Sequence, residues 1–207
     1  MKKRKPAAEL ISPGANLTEL RLAAANCQAC DLWKSATQTV FGEGARGAKV
    51  MFVGEQPGNE EDLQGKPFVG PAGKLLDKVL QELGINRNEL YITNVVKHFK
   101  WVRRGKRRIH EKPRISEIAA CRPWLEAEIA AVRPKVIACL GATAAQVLLG
   151  RDFRVTKNRG EFVESSLAPY VMATVHPSSI LRAPDEESRR AERARFVADL
   201  RGLLRVL

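Results

Sequence analysis

A chain of 207 residues can build one substantial hydrophobic core but is short for a second full domain. With 44% apolar and 28% charged residues it has the balance of a globular protein, and its net charge of +12 favours a polyanionic partner, nucleic acid ahead of an anionic membrane. No apolar run approaches the roughly 18 residues that cross a bilayer, so no membrane partner is expected. The start, MKKRKPAAEL, is basic but lacks the apolar segment of a secretory signal. Residues 1–15 are expected to form a flexible basic tail, and 16–207 a single monomeric domain in the cytoplasm.

In chain order, residues 17–25 read as a helix started by Asn16 or Thr18, and they lead into NCQAC. Cys27 and Cys30 have the spacing of a metal-ligand or redox pair; four cysteines are too few for a disulfide scaffold. Residues 31–48 read as a loop or a short irregular pair of strands. KVMFVGEQPG, at 49–58, is a buried strand that releases at Gly54 and delivers Glu55 and Gln56 together at its carboxyl end. A long loop punctuated by glycine and proline follows, and length beyond what a connection needs often belongs to a binding site. Residues 73–83 form an amphipathic helix, and 89–96, ELYITNVV, a second strand.

Residues 97–114, KHFKWVRRGKRRIHEKPR, break the alternation with nine Lys or Arg in eighteen positions, two histidines and two aromatics. No core element is expected there. As a charge run it can be simply a solvated face, but arginines interleaved with Phe99 and Trp101 also suit backbone neutralisation beside an aromatic surface. A helix over 115–132, a third strand over 135–140, a small-residue helix over 141–149 and a polar hairpin-like region to 164 come next. The fourth strand, 171–175, ends in HPSSILR, and a charged helix over 186–204 closes the chain. Four strands separated by helices predict a three-layer α/β/α sandwich with a central four-stranded, mostly parallel sheet.

Strand ends of such a sheet share one edge, where ligands bind. GEQPG, Asn94 and HPSS all fall there, so clusters remote in sequence are expected to line one pocket. GEGARG precedes the first strand, the wrong place for a phosphate loop.

These motifs, GEQPG, GKPFVGPAG, Thr93–Asn94 and HPSSILR in that order, resemble those of the uracil-DNA glycosylase superfamily from about Cys27 to the last helix. The likeness is strongest to its iron–sulfur bacterial members. The GEQPG form with an inserted KRRIH resembles the UdgX branch, which stays covalently attached to the DNA it has processed. The resemblance implies uracil-containing DNA as the partner, single-stranded and also double-stranded, and excision of uracil by base flipping. It implies that Phe68 stacks on the base, Asn94 hydrogen-bonds it beside Gly54, His176 sits near uracil O2, and Glu55 and Gln56 flank the sugar. Pro177, Ser178, Ser179 and Arg182 would press the adjacent backbone. Arg103, Arg104 and Lys106 would hold phosphates, and Arg107 and Arg108 would anchor the loop as well as phosphates. His110 would be the nucleophile that captures C1′, with Glu55 orienting its ring or accepting its proton.

For a cluster, Cys121 and Cys139 would complete a set of four cysteines, although Cys139 lies in an apolar strand where a free core cysteine is ordinary. The iron–sulfur members place their third ligand directly after the NVVK segment and the fourth at the start of the next helix. The resemblance therefore implies Cys27, Cys30, His98 and Cys121 around a 4Fe–4S cluster, with zinc on the same donors as the alternative. Two other functions stay open: a conventional glycosylase that uses water and releases an abasic site, and a noncatalytic protein that binds damaged DNA.

Overall fold

In the computed structural model, which describes residues 4–206, the four apolar runs become the parallel centre of one sheet. The strands are β1 (Glu43–Gly44), β2 (Val50–Gly54), β3 (Tyr91–Asn94), β4 (Trp101–Arg104), β5 (Arg107–His110), β6 (Val136–Leu140), β7 (Phe162–Val163) and β8 (Tyr170–Thr174). The sheet order is β1-β3-β2-β6-β8-β7, with β4 and β5 paired separately as a hairpin. Neighbours among β3, β2, β6 and β8 run parallel, and β1 and β7 add antiparallel edges of two residues each. Those edge strands go beyond the four expected. At two residues they carry too little alternation to be read from sequence.

The helices are α1 (Leu17–Ala24), α2 (Asn59–Gln64), α3 (Pro71–Glu82), α4 (Ile115–Val132), α5 (Ala142–Leu149), α6 (Val155–Asn158), α7 (Pro177–Leu181) and α8 (Glu186–Arg201). Alternate strand residues feed two cores, because successive side chains point to opposite faces. Met51, Val53, Ile137, Cys139, Val171 and Ala173 pack with α1, α4 and α5; Val50, Phe52, Val136, Ala138, Leu140 and Met172 pack with α3, α7 and α8. Burial on both faces is why the parallel strands read as unbroken apolar runs. Among the described residues no helix is long and apolar enough to cross a membrane.

The chain steps from β2 to β3 on one side and later returns to β6 on the other. The carboxyl end of β2 is thus a topological switch point, where helices leave to opposite faces and a crevice opens. Val95 N–H donates to Gly54 O at 2.9 Å and Val96 N–H to Glu55 O at 3.0 Å, so the pairing continues past the strands and fixes Glu55 relative to Asn94.

Two expectations need correction. The first three residues of the tail lie outside the described residues, but 7–10 form a 3-10 helix with Ala7 buried in the same core as α1 and α4. Arg4 also pairs with Asp31. The basic segment, expected to stay outside the core, begins inside it: Lys97, His98, Phe99 and Lys100 are all buried. Burial of Lys97 is possible because Glu128 of α4, equally buried, lies against it. The ammonium also donates to Thr93 Oγ1 at 2.7 Å and to Asn94 O at 2.6 Å. The carboxylate accepts from Tyr91 Oη, Thr93 Oγ1 and the Gly42 N–H.

Glu128→Gln would leave the Lys97 ammonium buried without a counter-charge, a loss of about 3–5 kcal/mol. Lys97→Met together with Glu128→Gln keeps an acceptor for Tyr91 and Gly42 and should recover part of it. Chemical denaturation of both variants checks this; a double variant as unstable as Glu128→Gln alone would contradict it.

Candidate active site

Four strand ends deliver the site: Glu55 follows β2, Asn94 ends β3, Gly141 follows β6, and His176 comes two residues after β8. The loop after β2 is clamped by Glu61, whose carboxylate accepts from Gly58 N at 3.0 Å and Gly70 N at 2.7 Å. That clamp presents Phe68, which is buried and has φ +55°, a left-handed conformation unusual for a bulky residue. Arg87 secures it from behind, donating to Pro67 O and Phe68 O at 3.1 and 3.2 Å. Gly73 lets helix α3 pass close, since a Cβ there would lie 1.8 Å from Phe68 O.

Gly54 is required for a similar reason. A Cβ on it would meet Asn94 Oδ1 at 2.4 Å and Phe68 Cζ at 2.7 Å. Asn94 is buried, and its Oδ1 has no hydrogen-bond donor in the structure. A buried acceptor without a partner costs about 1–3 kcal/mol, so this atom is poised for an N–H from a ligand. The Phe68 and His176 rings lie 5.7 Å apart between centroids.

His176 Nδ1 accepts the Ser178 N–H at 3.2 Å and lies 2.8 Å from Ser178 Oγ. With Nδ1 an acceptor, the proton of the neutral ring belongs on Nε2. Burial pushes the imidazole down to about 4, against the pull of the Glu55 charge. The ring is a neutral donor at pH 7 and becomes cationic only as pH falls through that value.

Across the crevice, His110 Nε2 of β5 stands 3.3 Å from Glu55 Oε1. The other oxygen, Oε2, accepts from Thr143 Oγ1 of α5. Burial by itself would raise Glu55. Hydrogen bonds to His110 and Thr143, with the charges of His110 and Lys112, outweigh it and hold the carboxyl below its ordinary value. Glu55 is therefore an anion facing a half-exposed histidine.

The hairpin that carries His110 is pinned by its inner face. Arg108 donates to Asn59 Oδ1 at 2.8 Å and to the fully buried Asp62 at 2.6 Å, and its guanidinium lies 5.5 Å from the Phe99 and Trp101 ring centres. Trp101 Nε1 donates to Ser35 O at 3.0 Å. Of the two roles expected of Arg108, its contacts serve the anchoring of the loop, and the phosphate role is corrected: its guanidinium is committed within the protein. Gln56 needs the same correction. Its Nε2 donates to Lys100 O and Glu111 O, and its Oε1 accepts from Lys100 N, so the side chain fastens the hairpin base and is not free for sugar or uracil. Arg103, Arg104, Lys106 and Arg107 are exposed around Gly105, without a carboxylate partner among the described residues. Pro177 is buried, and the Ser178 hydroxyl is occupied with His176. Ser179, whose hydroxyl donates to His176 O at 2.7 Å, and Arg182 are the exposed members of that group.

Burial pushes the Cys121 thiol up to about 12, and the nearby Cys30 and Cys27 add to that rise, whereas Cys139 sits apart in β6. Cys27 Sγ accepts from Trp124 Nε1 at 3.3 Å, and Cys121 Sγ from Lys97 N at 3.2 Å. His98 Nε2 lies 2.9 Å from Thr39 Oγ1. Among the described residues, no three His, Cys, Asp or Glu side chains converge closely enough to share one metal ion. Sequence reading missed Thr143, Lys97, Glu128 and Asp62; position after a strand end was the available signal for Thr143, and the other three gave none.

Residues 41–201 match the model of the Uracil DNA glycosylase superfamily, and the chain belongs to that superfamily. It is 43% identical over 165 residues to the Type-4 uracil-DNA glycosylase of Thermotoga maritima, which takes in 79% of this chain and 82% of that protein. It is 38% identical over 180 residues to the Type-4 enzyme of Sulfurisphaera tokodaii, covering 82% and 78%. The Saccharolobus solfataricus Type-4 enzyme is 39% identical over 166 residues, covering 76% and 74%.

An NMR titration of the imidazoles should place the His176 midpoint near 4. A midpoint at the ordinary value of about 6.5 would contradict its assignment as a partly buried neutral donor.

Proposed function

We propose that this member of the superfamily excises uracil from DNA and captures the resulting sugar through His110, as in the UdgX branch. The observation that carries the capture reading is the contact of His110 Nε2 with Glu55 Oε1 at 3.3 Å at the switch point, within the same crevice as Phe68, Asn94 and His176. The Type-4 relatives support uracil-DNA as substrate. Extrusion of the nucleotide places uracil against Phe68, where the free Asn94 Oδ1 accepts its imide N–H.

The C1′–N1 bond then breaks and its electron pair leaves with uracil. The Nε2–H of neutral His176 stabilises the charge that develops on O2, a role that a pre-placed donor fills without reorganisation. C1′ gains oxocarbenium character, and the unprotonated ring nitrogen of His110 donates its lone pair to it. The imidazolium so formed passes its remaining N–H proton to the Glu55 carboxylate, from which it neutralises the uracil anion. Bonds and protons balance: one C–N bond is broken, one is formed, and no water is consumed. Exposed Arg103, Arg104, Lys106, Arg107 and Arg182 neutralise phosphates on either side.

Cys27, Cys30, His98 and Cys121 would hold a 4Fe–4S cluster. Thiols clustered without disulfide bonds and supplied with N–H donors suit it. Tetrahedral zinc on the same three sulfurs and one imidazole is the alternative. The cluster would supply a structural tie between the N-terminal segment, the start of the basic segment and the second turn of α4. Cys121→Ala should lose iron from the purified protein while Cys139→Ala retains it; stoichiometric zinc in place of iron would contradict the cluster.

His110→Ser removes the nucleophile and leaves Phe68, Asn94 and His176 in place. Mixed with a uracil-containing single strand, it should give no species that survives heat and detergent, yet still release free uracil and leave an alkali-labile site. Persistence of the covalent species at the native rate would overturn the assignment.

A further inference from the structure

Glu55 has two carboxylate oxygens, and capture by His110 uses one. Oε1 faces His110 Nε2 at 3.3 Å, and Oε2 is held by the Thr143 hydroxyl. Thr143 lies buried in the first turn of α5, followed by the buried Ala144 and Ala145. A hydroxyl in such surroundings needs a partner, and Glu55 is the one it has. The chain enters this turn through Gly141, at φ +94°, where a Cβ would come within 3.0 Å of His176 Cβ. One three-residue turn after β6 therefore touches His176 with its first residue and Glu55 with its third.

We infer that Thr143 is a positioning residue for the covalent step: by holding one oxygen of Glu55, its hydroxyl keeps the other on His110. The inference rests on the capture reading given above. The terminal torsion of a glutamate is broad, so an untethered carboxylate turns freely between orientations. A donor on Oε2 removes that freedom and stabilises the anion that His110 needs. The titratable groups facing Glu55 are His110 on β5, Lys112 just beyond it and His176 ahead of α7. The hydroxyl of Thr143 on α5 is the uncharged member of this ring.

Loss of the hydroxyl shifts the balance on Glu55 toward burial, which raises its pKa. The acid limb of the capture rate must then move to higher pH. Thr143→Val keeps the shape and removes the hydroxyl, Thr143→Ser keeps the hydroxyl, and Thr143→Ala serves as a second deletion. Single-turnover formation of the adduct on a uracil-containing single strand should slow by about tenfold in the Val and Ala variants. Its acid limb should move to higher pH, with unchanged affinity for the same DNA. Thr143→Ser should restore both rate and limb. Deletion variants with the native rate and limb, or a Ser variant as impaired as Val, would overturn the inference while wild type still captures DNA. A wild-type chain that excises uracil without forming any adduct would instead sink the capture reading, and this inference with it.

Discussion

Removing Lys97 and Glu128 from water costs several kcal/mol per ion, and their attraction offsets this only if the remaining donors and acceptors are satisfied. Here they are. The ammonium reaches Thr93, Asn94 O and Glu128, while the carboxylate collects Tyr91, Thr93, Gly42 and Lys97. This network joins the end of β3 to the C-terminal half of α4, two elements that share no hydrogen-bonded ladder. Its consequences run in two directions. Lys97 Nζ grips the carbonyl of Asn94, the residue with the orphaned acceptor, and the Lys97 N–H reaches Cys121 Sγ. Asn94, with its orphaned acceptor, and Cys121 are thus fixed by opposite ends of one lysine.

From that anchor the chain runs into a hairpin with two unlike faces. Trp101, Arg108 and His110 turn toward the body, where Ser35, Asp62 and Glu55 receive them. The opposite face and the tip carry Val102, Arg104, Lys106, Arg107 and Ile109, all exposed. Strand alternation makes the division automatic: a register in which Trp101 faces His110 and Arg103 faces Arg108 sends Arg104 and Arg107 to the other side. One short ribbon can then hold His110 over the crevice beside Glu55 and present cations on its exposed face. Gln56 makes this placement reproducible by bonding both the outgoing and returning strands at the ribbon's base.

The parallel strands were legible because burial on both faces turns them into apolar runs. The strand-end positions of Glu55, Asn94 and His176 followed from that plan. Lys97 and Lys100 were misplaced because charge in sequence signals exposure. Their burial depends on Glu128 and Glu117, carboxylates on α4 that become neighbours only through the tertiary fold. Gln56 and Arg108 show a related limit. Residue type tells what a side chain can bond, but an amide fully used by Lys100 and Glu111, or a guanidinium used by Asp62, has no capacity left for DNA. Thr143 was hidden in a small-residue helix because a hydroxyl's importance lies in its partner, which comes from a strand 88 positions earlier.

The central claim is that a protein nitrogen, rather than water, takes the sugar. Its most direct test is tandem mass spectrometry of the species formed with a uracil-containing single strand, after digestion of both protein and DNA. The account predicts a deoxyribose remnant on the peptide that contains His110, localised to the imidazole and formed together with one equivalent of free uracil. A remnant on any other residue, or free uracil accompanied only by unattached abasic DNA, would contradict it.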